Sequence, residues 1–250
     1  MRSARKCEVE IACIVLPTYN EAENLPILLP LIFEQAEKIT THELHVLVVD
    51  DNSPDGTAAI VREAMREYPR LHIIGGRKKG LGEAYQRGFA HALAELRPEL
   101  ILQMDADLQH DPVLLPEFIA RANEGFGLVI GSRFAPGGAI RNFSWHRRWM
   151  SVTGTWLVQR VAGIPSIHDC TSGYRCIRAE LLPRCQLARL SMRGYSFQSA
   201  LLGELLRNGA RVLEIPIVFS ERRNGESKLS LRDQVEFLVN LFRLRPGRRD

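Results

Sequence analysis

The sequence predicts an α/β fold: a doubly wound, mostly parallel sheet followed by a C-terminal elaboration of helices and loops. Two observations support this prediction. In the first half of the chain, short apolar runs rich in β-branched residues alternate with longer segments of helical character. The runs are almost continuously apolar, which is typical of parallel strands covered by helices on both faces. We therefore expect ligands to bind beyond the carboxyl ends of these strands.

The predicted elements follow one another in a regular order. Strands are expected at residues 11–17, 45–50, 71–75, 100–105 and 128–132. Helices are expected between them at residues 21–39, 57–68, 81–96 and 112–124. Beyond residue 132, the sequence predicts a helix ending at residue 161, a helix at 197–208, a strand at 212–219 and a basic amphipathic helix at 231–244. Because no internal repeat or low-complexity linker is present, we expect residues 1–250 to form a single domain.

Composition and charge limit the class of protein. A chain of 250 residues can bury most of its apolar surface in one core. Its net charge of +4 is too small for a dedicated nucleic-acid binder, so an anionic partner must be met by a local patch. The five cysteines lack CxxC spacing, which argues against a disulfide framework or a zinc site and favours a reducing cytoplasm. No signal peptide or membrane-spanning helix is predicted.

Asp105 and Asp107 stand two residues apart at the end of the fourth predicted strand. An extended strand would point both carboxylates to one side, and Gln109 would follow in the same phase. Two carboxylates and an amide oxygen are hard ligands that suit Mg²⁺ or Mn²⁺, which would bridge them to a diphosphate. The alternative is a turn followed by a helix N-cap. The position at a strand end, beside other acidic loops, favours the metal site.

A second acidic pair, Asp50 and Asp51, follows the second predicted strand. Residues 53–56 (SPDG) form a good β-turn signal, and Asp55 belongs to it. A simple turn does not require two adjacent carboxylates, which repel each other. A sugar hydroxyl or a base N–H is a donor that would explain the pair.

Residues 75–82 (GGRKKGLG) resemble a dinucleotide-binding loop only in part. Tyr85 occupies the place of the third glycine, and the chain contains no P-loop motif, which disfavours a dinucleotide oxidoreductase and a P-loop ATPase. The loop is expected to cap the helix that begins at Leu81. Its three cations are then either solvated or close to a phosphate.

Histidine and cysteine chemistry receives little support. His110, His146 and His168 have no matching nucleophile motif, so a hydrolase triad is disfavoured. Cys170 and Cys176 are expected to be core or loop thiols.

Residues 141–151 (RNFSWHRRWMS) combine three aromatic rings, a methionine and three arginines. Such a segment suits nucleic acid, a membrane surface or a phosphorylated substrate. Arg147 and Ser151 are spaced i, i+4, so they share one face of a helix. Trp145, Trp149 and Met150 could contact a membrane interface, but Trp149 and Met150 could equally be core residues of a helix packed on the sheet.

Six motifs occur in a characteristic order along the chain. They are PTYNE (17–21), VVDDNSPDGT (48–57), MDADLQH (104–110), GSRF with a following GG (131–138), HDCTSGYR (168–175) and ERRNGESKL (221–229). Together they resemble the GT-A-fold glycosyltransferases of family 2, and most closely the polyprenol (dolichol) phosphate mannose synthases. The resemblance extends over nearly the whole chain, from residue 11 to about residue 242.

The resemblance implies a role for individual residues. It places the guanosine-binding positions at Pro17, Tyr19, Glu21, Val49 and Asp51. It places the diphosphate and metal site at Asp105, Ala106 and Asp107, with Gln109 as a further metal ligand. Cations around the donor diphosphate and the acceptor phosphate would be Arg133, Arg222 and Lys228. Arg147 and Ser151 match a pair aimed at the acceptor phosphate and, with Asp107, form the predicted catalytic set.

The implied reaction is transfer of mannose from GDP-mannose to a polyprenyl or dolichyl phosphate, with inversion. Residues of about 11–132 would then bind the nucleotide sugar and the metal, and residues of about 133–250 the acceptor. Two alternatives remain open: another donor such as UDP-glucose, or a scaffold that binds anions or a membrane. We expect no nucleic-acid partner, because acidic loops repel a phosphate backbone.

The resemblance also implies a location at the cytoplasmic face of a membrane, with peripheral attachment. The sequence offers three ways to reach the membrane: the basic C-terminal helix, the region around Trp145, or a membrane-anchoring partner protein.

Overall fold

The computed structural model describes residues 9–140, 160, 167–187 and 195–219. The helices described are α1 (Leu25–Ala36), α2 (Thr57–Ala64), α3 (Leu81–His91), α4 (Leu115–Asn123) and α5 (Tyr195–Arg207). The strands are β1 (Glu10–Thr18), β2 (His42–Asp50), β3 (Leu71–Gly75), β4 (Leu100–Gln103), β5 (Leu128–Ser132), β6 (Ala139–Ile140), β7 (Arg175–Arg178), β8 (Val212–Pro216) and β9 (Val218–Phe219).

Seven strands form the central sheet in the order β3-β2-β1-β4-β7-β5-β8. Strands β1 to β4 are mutually parallel, and β5 is parallel to β8. One face of the sheet packs on α1, α2 and α4, and the other on α3 and α5. The apolar runs therefore form buried parallel strands, because both faces of the sheet are covered. The predicted α/β fold with a doubly wound, mostly parallel sheet is confirmed.

Strand β7 was not predicted. It lies between β4 and β5 and is antiparallel to both, with Gln103 of β4 paired with Arg175 of β7. Its sequence, RCIR, has an arginine at each end and lacks the apolar run that marks the other strands. Because β7 is antiparallel, the residues just before it lie at the edge where the parallel strands end. The motif at 168–175 is thereby brought beside Asp105.

Several predicted boundaries are wrong, for local reasons. The first helix begins at Leu25 and not at Glu21, and it is preceded by a turn at residues 22–24 in which the Glu21 carbonyl accepts hydrogen bonds from the N–H groups of Asn24 and Leu25. The fourth strand ends at Gln103, before the acidic motif. The strand predicted at 212–219 is two strands, β8 and β9. Between them the Ile217 N–H donates to the Ser132 carbonyl, and β9 pairs with β6 in a separate two-stranded sheet.

Two predicted helices, ending at residue 161 and spanning residues 231–244, lie largely or wholly outside the described residues, as does the segment 141–151. None of the helices in the described ranges is long and apolar enough to cross a membrane.

Candidate active site

The acidic loop begins directly after β4. Leu108 has a φ of 63°, and the Gln109 N–H donates to Asp107 Oδ1 over 3.2 Å. The extended conformation that would put Gln109 in phase with the two aspartates therefore does not persist, because β4 ends at Gln103 and the chain turns at Leu108. The turn buries Asp107 and leaves the Asp105 side chain about one-third exposed (35%). The N-cap of the following helical turn is Asp111, which accepts from the Val113 N–H.

His110 fixes the backbone of this loop. Its Nδ1 accepts a hydrogen bond of 3.0 Å from the Asp105 N–H, and its Nε2 lies 4.0 Å from Asp105 Oδ2. The ring is buried and stacks on Tyr174 with centroids 4.8 Å apart. The Tyr174 hydroxyl donates to the Asp111 carbonyl at 2.9 Å. Sequence reasoning missed this role of His110, although its place directly after DADLQ was a usable signal.

Tyr85 supports Asp105 from below. Its hydroxyl lies 3.3 Å from Asp105 Oδ1 and 3.4 Å from the Met104 carbonyl, and its ring stacks on Phe197 of α5. Complete burial, followed by the nearby Asp105 charge, raises the pKa of Tyr85 well above its ordinary value. The hydroxyl therefore remains a hydrogen-bond donor. The sequence pattern indicates Tyr85 only as the residue that occupies the place of the third glycine in a dinucleotide-binding motif.

A buried ion pair orients Arg133. Its Nε and Nη2 donate to Asp169 Oδ2 and Oδ1, each over 2.7 Å, and Nη2 also donates to Thr171 Oγ1. Burial alone would raise the pKa of Asp169, but Arg133 and backbone N–H donors outweigh it, and the pKa is lowered. Asp169 was not predicted as a site residue. It belongs to the motif at 168–175, which only the antiparallel β7 brings to this edge.

A small polar cavity joins these groups at the carboxyl edge of the sheet. It is lined by Asp105, Gln109, His110, Arg133, Thr171, Ser172, Gly173 and Phe219. Phe219 reaches the cavity from β9. The cavity therefore combines two predicted metal ligands with the predicted diphosphate cation.

The predicted nucleoside residues lie on the neighbouring strands. Pro17 of β1 pairs with Val49 of β2, and Asp51 follows β2 directly. Tyr19 and Glu21 follow β1. The Glu21 carboxylate accepts from the Asn24 side chain at 2.7 Å, and the Glu21 N–H donates to Thr57 Oγ1.

The two adjacent carboxylates after β2 have donors within the protein. Asp50 accepts hydrogen bonds from the hydroxyls of Thr18 and Ser53, and Asp51 pairs with Arg87 at 2.6 Å. These internal donors account for both carboxylates, so the pair does not by itself require a ligand donor. The role of Asp51 in nucleotide binding remains a prediction.

The loop at 75–82 approaches the nucleoside end. Lys78 Nζ lies 3.3 Å from the centre of the Tyr19 ring, a cation–π distance. Lys78 is thus exposed but not simply solvated, and it places a positive charge beside a predicted base-binding residue.

The thiols expected to be core residues, Cys170 and Cys176, are buried. Burial raises the pKa of Cys170 to about 12, so this thiol is not a nucleophile at neutral pH.

The donor set after β4 fits a hard divalent cation. Asp105, Asp107 and Gln109 offer carboxylate and amide oxygens, and Asp105 and Gln109 line the cavity. A second cluster, Glu10, His42 and Glu99, has ligand atoms within 4.8 Å of one another, but it lies at the opposite edge of the sheet. Arg178 pairs with Glu99 there at 2.6 Å, so this cluster already contains a cation.

Four predicted residues lie outside the described part of the chain. They are Arg147, Ser151, Arg222 and Lys228. The structure therefore brings together the donor-side predictions only.

Known structures share this architecture. Glucosyl-3-phosphoglycerate synthase from Mycobacterium tuberculosis, in complex with Mn²⁺ and UDP-glucose, matches with a TM-score of 0.66 at 18% identity, over 96% of this chain and 81% of that one. A mannosyltransferase from Pyrobaculum calidifontis, in complex with GDP-Man and Mn²⁺, matches with a TM-score of 0.61 at 21% identity. The match covers 94% of this chain and 63% of that one. The fold is thus that of the GT-A glycosyltransferases, as predicted.

The chain belongs to glycosyl transferase family 2, whose sequence profile matches residues 13–185. Polyprenol monophosphomannose synthase from Mycolicibacterium smegmatis is 39% identical over 219 residues, which cover 87% of this chain and 80% of the relative. Undecaprenyl-phosphate mannosyltransferase from Micrococcus luteus is 38% identical over 230 residues, 92% of this chain and 91% of the relative. The predicted enzyme class, a glycosyltransferase, is confirmed.

Proposed function

We propose that the protein transfers mannose from GDP-mannose to a polyprenyl phosphate, giving polyprenyl phosphate mannose. The observation that carries the proposal is the cavity at the carboxyl edge, where Asp105, Gln109 and Arg133 converge. The names of the Mycolicibacterium and Micrococcus relatives supply the acceptor class and the sugar. The complex of the Pyrobaculum enzyme with GDP-Man supports the choice of donor.

Asp105, Asp107 and Gln109 are the residues proposed to hold Mg²⁺ or Mn²⁺. A divalent cation there would stabilise the charge that develops on the departing diphosphate. Ala106 separates the two carboxylates and is proposed to contact the diphosphate through its backbone. Tyr85 and His110 hold Asp105 in place from two sides, so the ligand needs little reorganisation.

Arg133 is the proposed cation on the donor diphosphate. Asp169 engages two of its nitrogens and fixes the guanidinium plane beside the cavity. Such a preoriented charge stabilises a developing anion more effectively than a mobile one. The proposed nucleoside contacts are Pro17, Tyr19, Glu21, Val49 and Asp51.

The acceptor side is assigned from the motifs alone. Arg147, Ser151, Arg222 and Lys228 are proposed to bind the acceptor phosphate, with Asp107, Arg147 and Ser151 closest to the reaction. The acceptor phosphate is anionic near neutral pH, so the reaction requires no strong general base. A single in-line displacement would invert the anomeric centre.

The proposed location is the cytoplasmic face of a membrane, with peripheral attachment. The acceptor is a lipid, so the enzyme must reach a bilayer surface. We propose that residues of about 133–250 provide this contact, either alone or with a membrane-anchoring partner.

The experiment that tests this function is transfer of radiolabel from a panel of sugar nucleotides to polyprenyl phosphate. We expect GDP-mannose to be the preferred donor and a chelator to abolish transfer, which added Mg²⁺ or Mn²⁺ restores. Preference for UDP-glucose would replace the donor. Retention on a membrane or an anion without any transfer would favour the scaffold alternative.

A further inference from the structure

A small gap lies over Gly173, between Asp105 and α5. A Cβ atom built on Gly173 would lie 3.5 Å from Asp105 Oδ2, 3.5 Å from Gln198 Nε2 and 3.7 Å from His110 Cε1. These are ordinary van der Waals distances, so a methyl group would fit, and its absence leaves Asp105 Oδ2 and Gln198 Nε2 directed at the same space over Gly173. Gly173, Asp105 and His110 also line the cavity of the candidate active site. The gap therefore adjoins that cavity.

Gln198 contributes an unsatisfied amide to this gap. The residue is 2% exposed, and neither Nε2 nor Oε1 has a hydrogen-bond partner within the described ranges. Its backbone carbonyl accepts from Arg175 Nη1 at 2.7 Å, which ties α5 to β7 at this position. Leaving a buried polar group without a partner destabilises the folded protein. Buried amides are rarely left unpaired in native proteins, so a ligand or a water is expected to meet this one.

The chemistry of the gap selects a hydroxyl group. A ligand oxygen bound between the two polar atoms would meet a carboxylate acceptor, Asp105, and an amide donor, Gln198 Nε2. A hydroxyl donates to the first and accepts from the second. A phosphate oxygen has no hydrogen to donate and would be repelled by Asp105.

The order of strands in the sheet indicates which part of the donor supplies this hydroxyl. The predicted nucleoside residues follow β1 and β2, whereas Gly173 immediately precedes Tyr174 and β7 on the far side of β4. The diphosphate site after β4 lies between them. In a nucleotide sugar the diphosphate joins the nucleoside to the hexose. The group that lies on the far side of the diphosphate site from the nucleoside is therefore the transferred hexose.

We propose that Gln198 and Asp105 together bind one hydroxyl of the transferred hexose, which makes Gln198 a sugar-recognition residue. This inference rests on the proposed function. A water molecule has the same hydrogen-bonding capacity as a hydroxyl, so the experiment must separate a sugar contact from a structural water.

The test is equilibrium binding of GDP-mannose and of GDP, in the presence of Mn²⁺, by calorimetry. Gln198→Leu removes the amide, and Gly173→Ala fills the gap with a methyl group at ordinary contact distances. Gln198→Leu is expected to weaken GDP-mannose binding by about 3- to 10-fold, the value of a hydrogen bond between neutral groups. Gly173→Ala is expected to weaken it by about 10- to 100-fold, because the methyl group displaces the hydroxyl from the charged Asp105 as well. In Gln198→Leu, GDP binding is expected to be unchanged, because GDP carries no hexose. Gly173→Ala adds a methyl group beside Asp105, so for this variant the expected result is a larger loss of GDP-mannose affinity than of GDP affinity.

Gln103→Leu is the matched control. Gln103 is also fully buried on β4, and its amide has no partner among the described residues either, but it lies two residues before Asp105. This variant is expected to keep the wild-type ratio of the two affinities. GDP-mannose analogues that each lack one hydroxyl should identify the bound group. The analogue that lacks this hydroxyl should bind the wild-type protein more weakly than GDP-mannose does, and it should bind Gln198→Leu as well as it binds the wild type.

Two results would overturn the inference. One is an equal loss of GDP and GDP-mannose affinity in both variants, and the other is a changed melting temperature with an unchanged affinity ratio, which would indicate a structural water. If wild type prefers another sugar nucleotide, the proposed donor fails. The same ratio, measured with that sugar nucleotide and its nucleoside diphosphate, then decides the role of Gln198 separately.

Discussion

Charged residues at the carboxyl edge are held by specific partners. Arg133 and Asp169 form a bidentate pair in which both side chains are almost completely buried. Such a pair contributes little net stability compared with an apolar pair, but the loss of one member leaves an uncompensated buried charge. The pair therefore serves to orient Arg133 toward the cavity.

Asp169→Asn should test this orienting role. The amide cannot balance the charge of Arg133, so we expect the free energy of unfolding to fall by about 3 kcal/mol, measured in urea. Where the variant folds, KM for the donor should rise more than kcat falls. Wild-type stability together with a wild-type KM would contradict the assignment.

Asp107 is expected to be indispensable. Asp107→Asn removes a carboxylate from the proposed metal site, and we expect transfer to fall to background and Mn²⁺-dependent binding of GDP to be lost. Asp111→Asn is the matched control, because it removes a neighbouring charge but retains an N-cap side chain. Normal synthesis of the mannolipid by Asp107→Asn would refute the metal assignment.

At the scale of elements, α3 packs very closely on the sheet. A Cβ at Gly88 would lie 2.3 Å from Val15 Cγ1 and 3.0 Å from Val49 Cγ2, so only glycine permits this approach. The close contact also fixes Tyr85, one turn earlier on the same helix, below Asp105. The packing of α3 thereby links the core to the site.

Gly88→Ala should push α3 away from the sheet. Overpacking of this kind costs about 1–3 kcal/mol, which a denaturation curve would measure. We also expect weaker metal-dependent binding of GDP, because Tyr85 moves with the helix. Gly209→Ala would not serve as a control for this clash. Gly209 has a φ of 83°, so an alanine there would be strained by its backbone conformation although its Cβ meets no neighbouring atom. An unchanged denaturation midpoint in Gly88→Ala would contradict the close packing.

For the molecule as a whole, we expect stability in acid to depend on two half-buried histidines. His45 of β2 and His72 of β3 stack, and their Nδ1 and Nε2 atoms are 2.9 Å apart. Burial is the main cause that lowers the pKa of each ring below its ordinary value of 6.5. The unfolded chain therefore binds protons more readily than the folded one in this range.

The contribution of the two neutral histidines to the free energy of unfolding should be complete above about pH 6.5, the pKa of histidine in the unfolded chain. It should be lost as the pH falls from there through the lowered pKa values of the folded protein. Urea unfolding between pH 5 and pH 8, roughly the range in which histidine titrates, would measure the slope. The lowered pKa of Asp169 acts in the same direction, but at more acidic pH. The double variant His45→Gln/His72→Gln should lose the slope near pH 6, and a persisting slope would contradict this cause.

The sequence by itself determined the architecture of the first half and predicted where the candidate site lies. Apolar runs without alternation require coverage on both faces, and this predicts parallel strands whose carboxyl ends share one edge. The residues after β1, β2 and β4 were therefore predictable as neighbours. Ordered motifs then identified the family without any structure.

Only the tertiary structure decided how distant polar residues meet. Arg175 has the sequence character of a surface residue, yet it is fully buried at the start of β7, because an antiparallel strand there completes the sheet between β4 and β5. That insertion brings Asp169 to Arg133 and Gly173 to Asp105, contacts that join residues 36 or more positions apart. Sequence periodicity reports which face of an element is buried. It does not report which strands become neighbours, because the pairing of strands depends on the packing of the whole core.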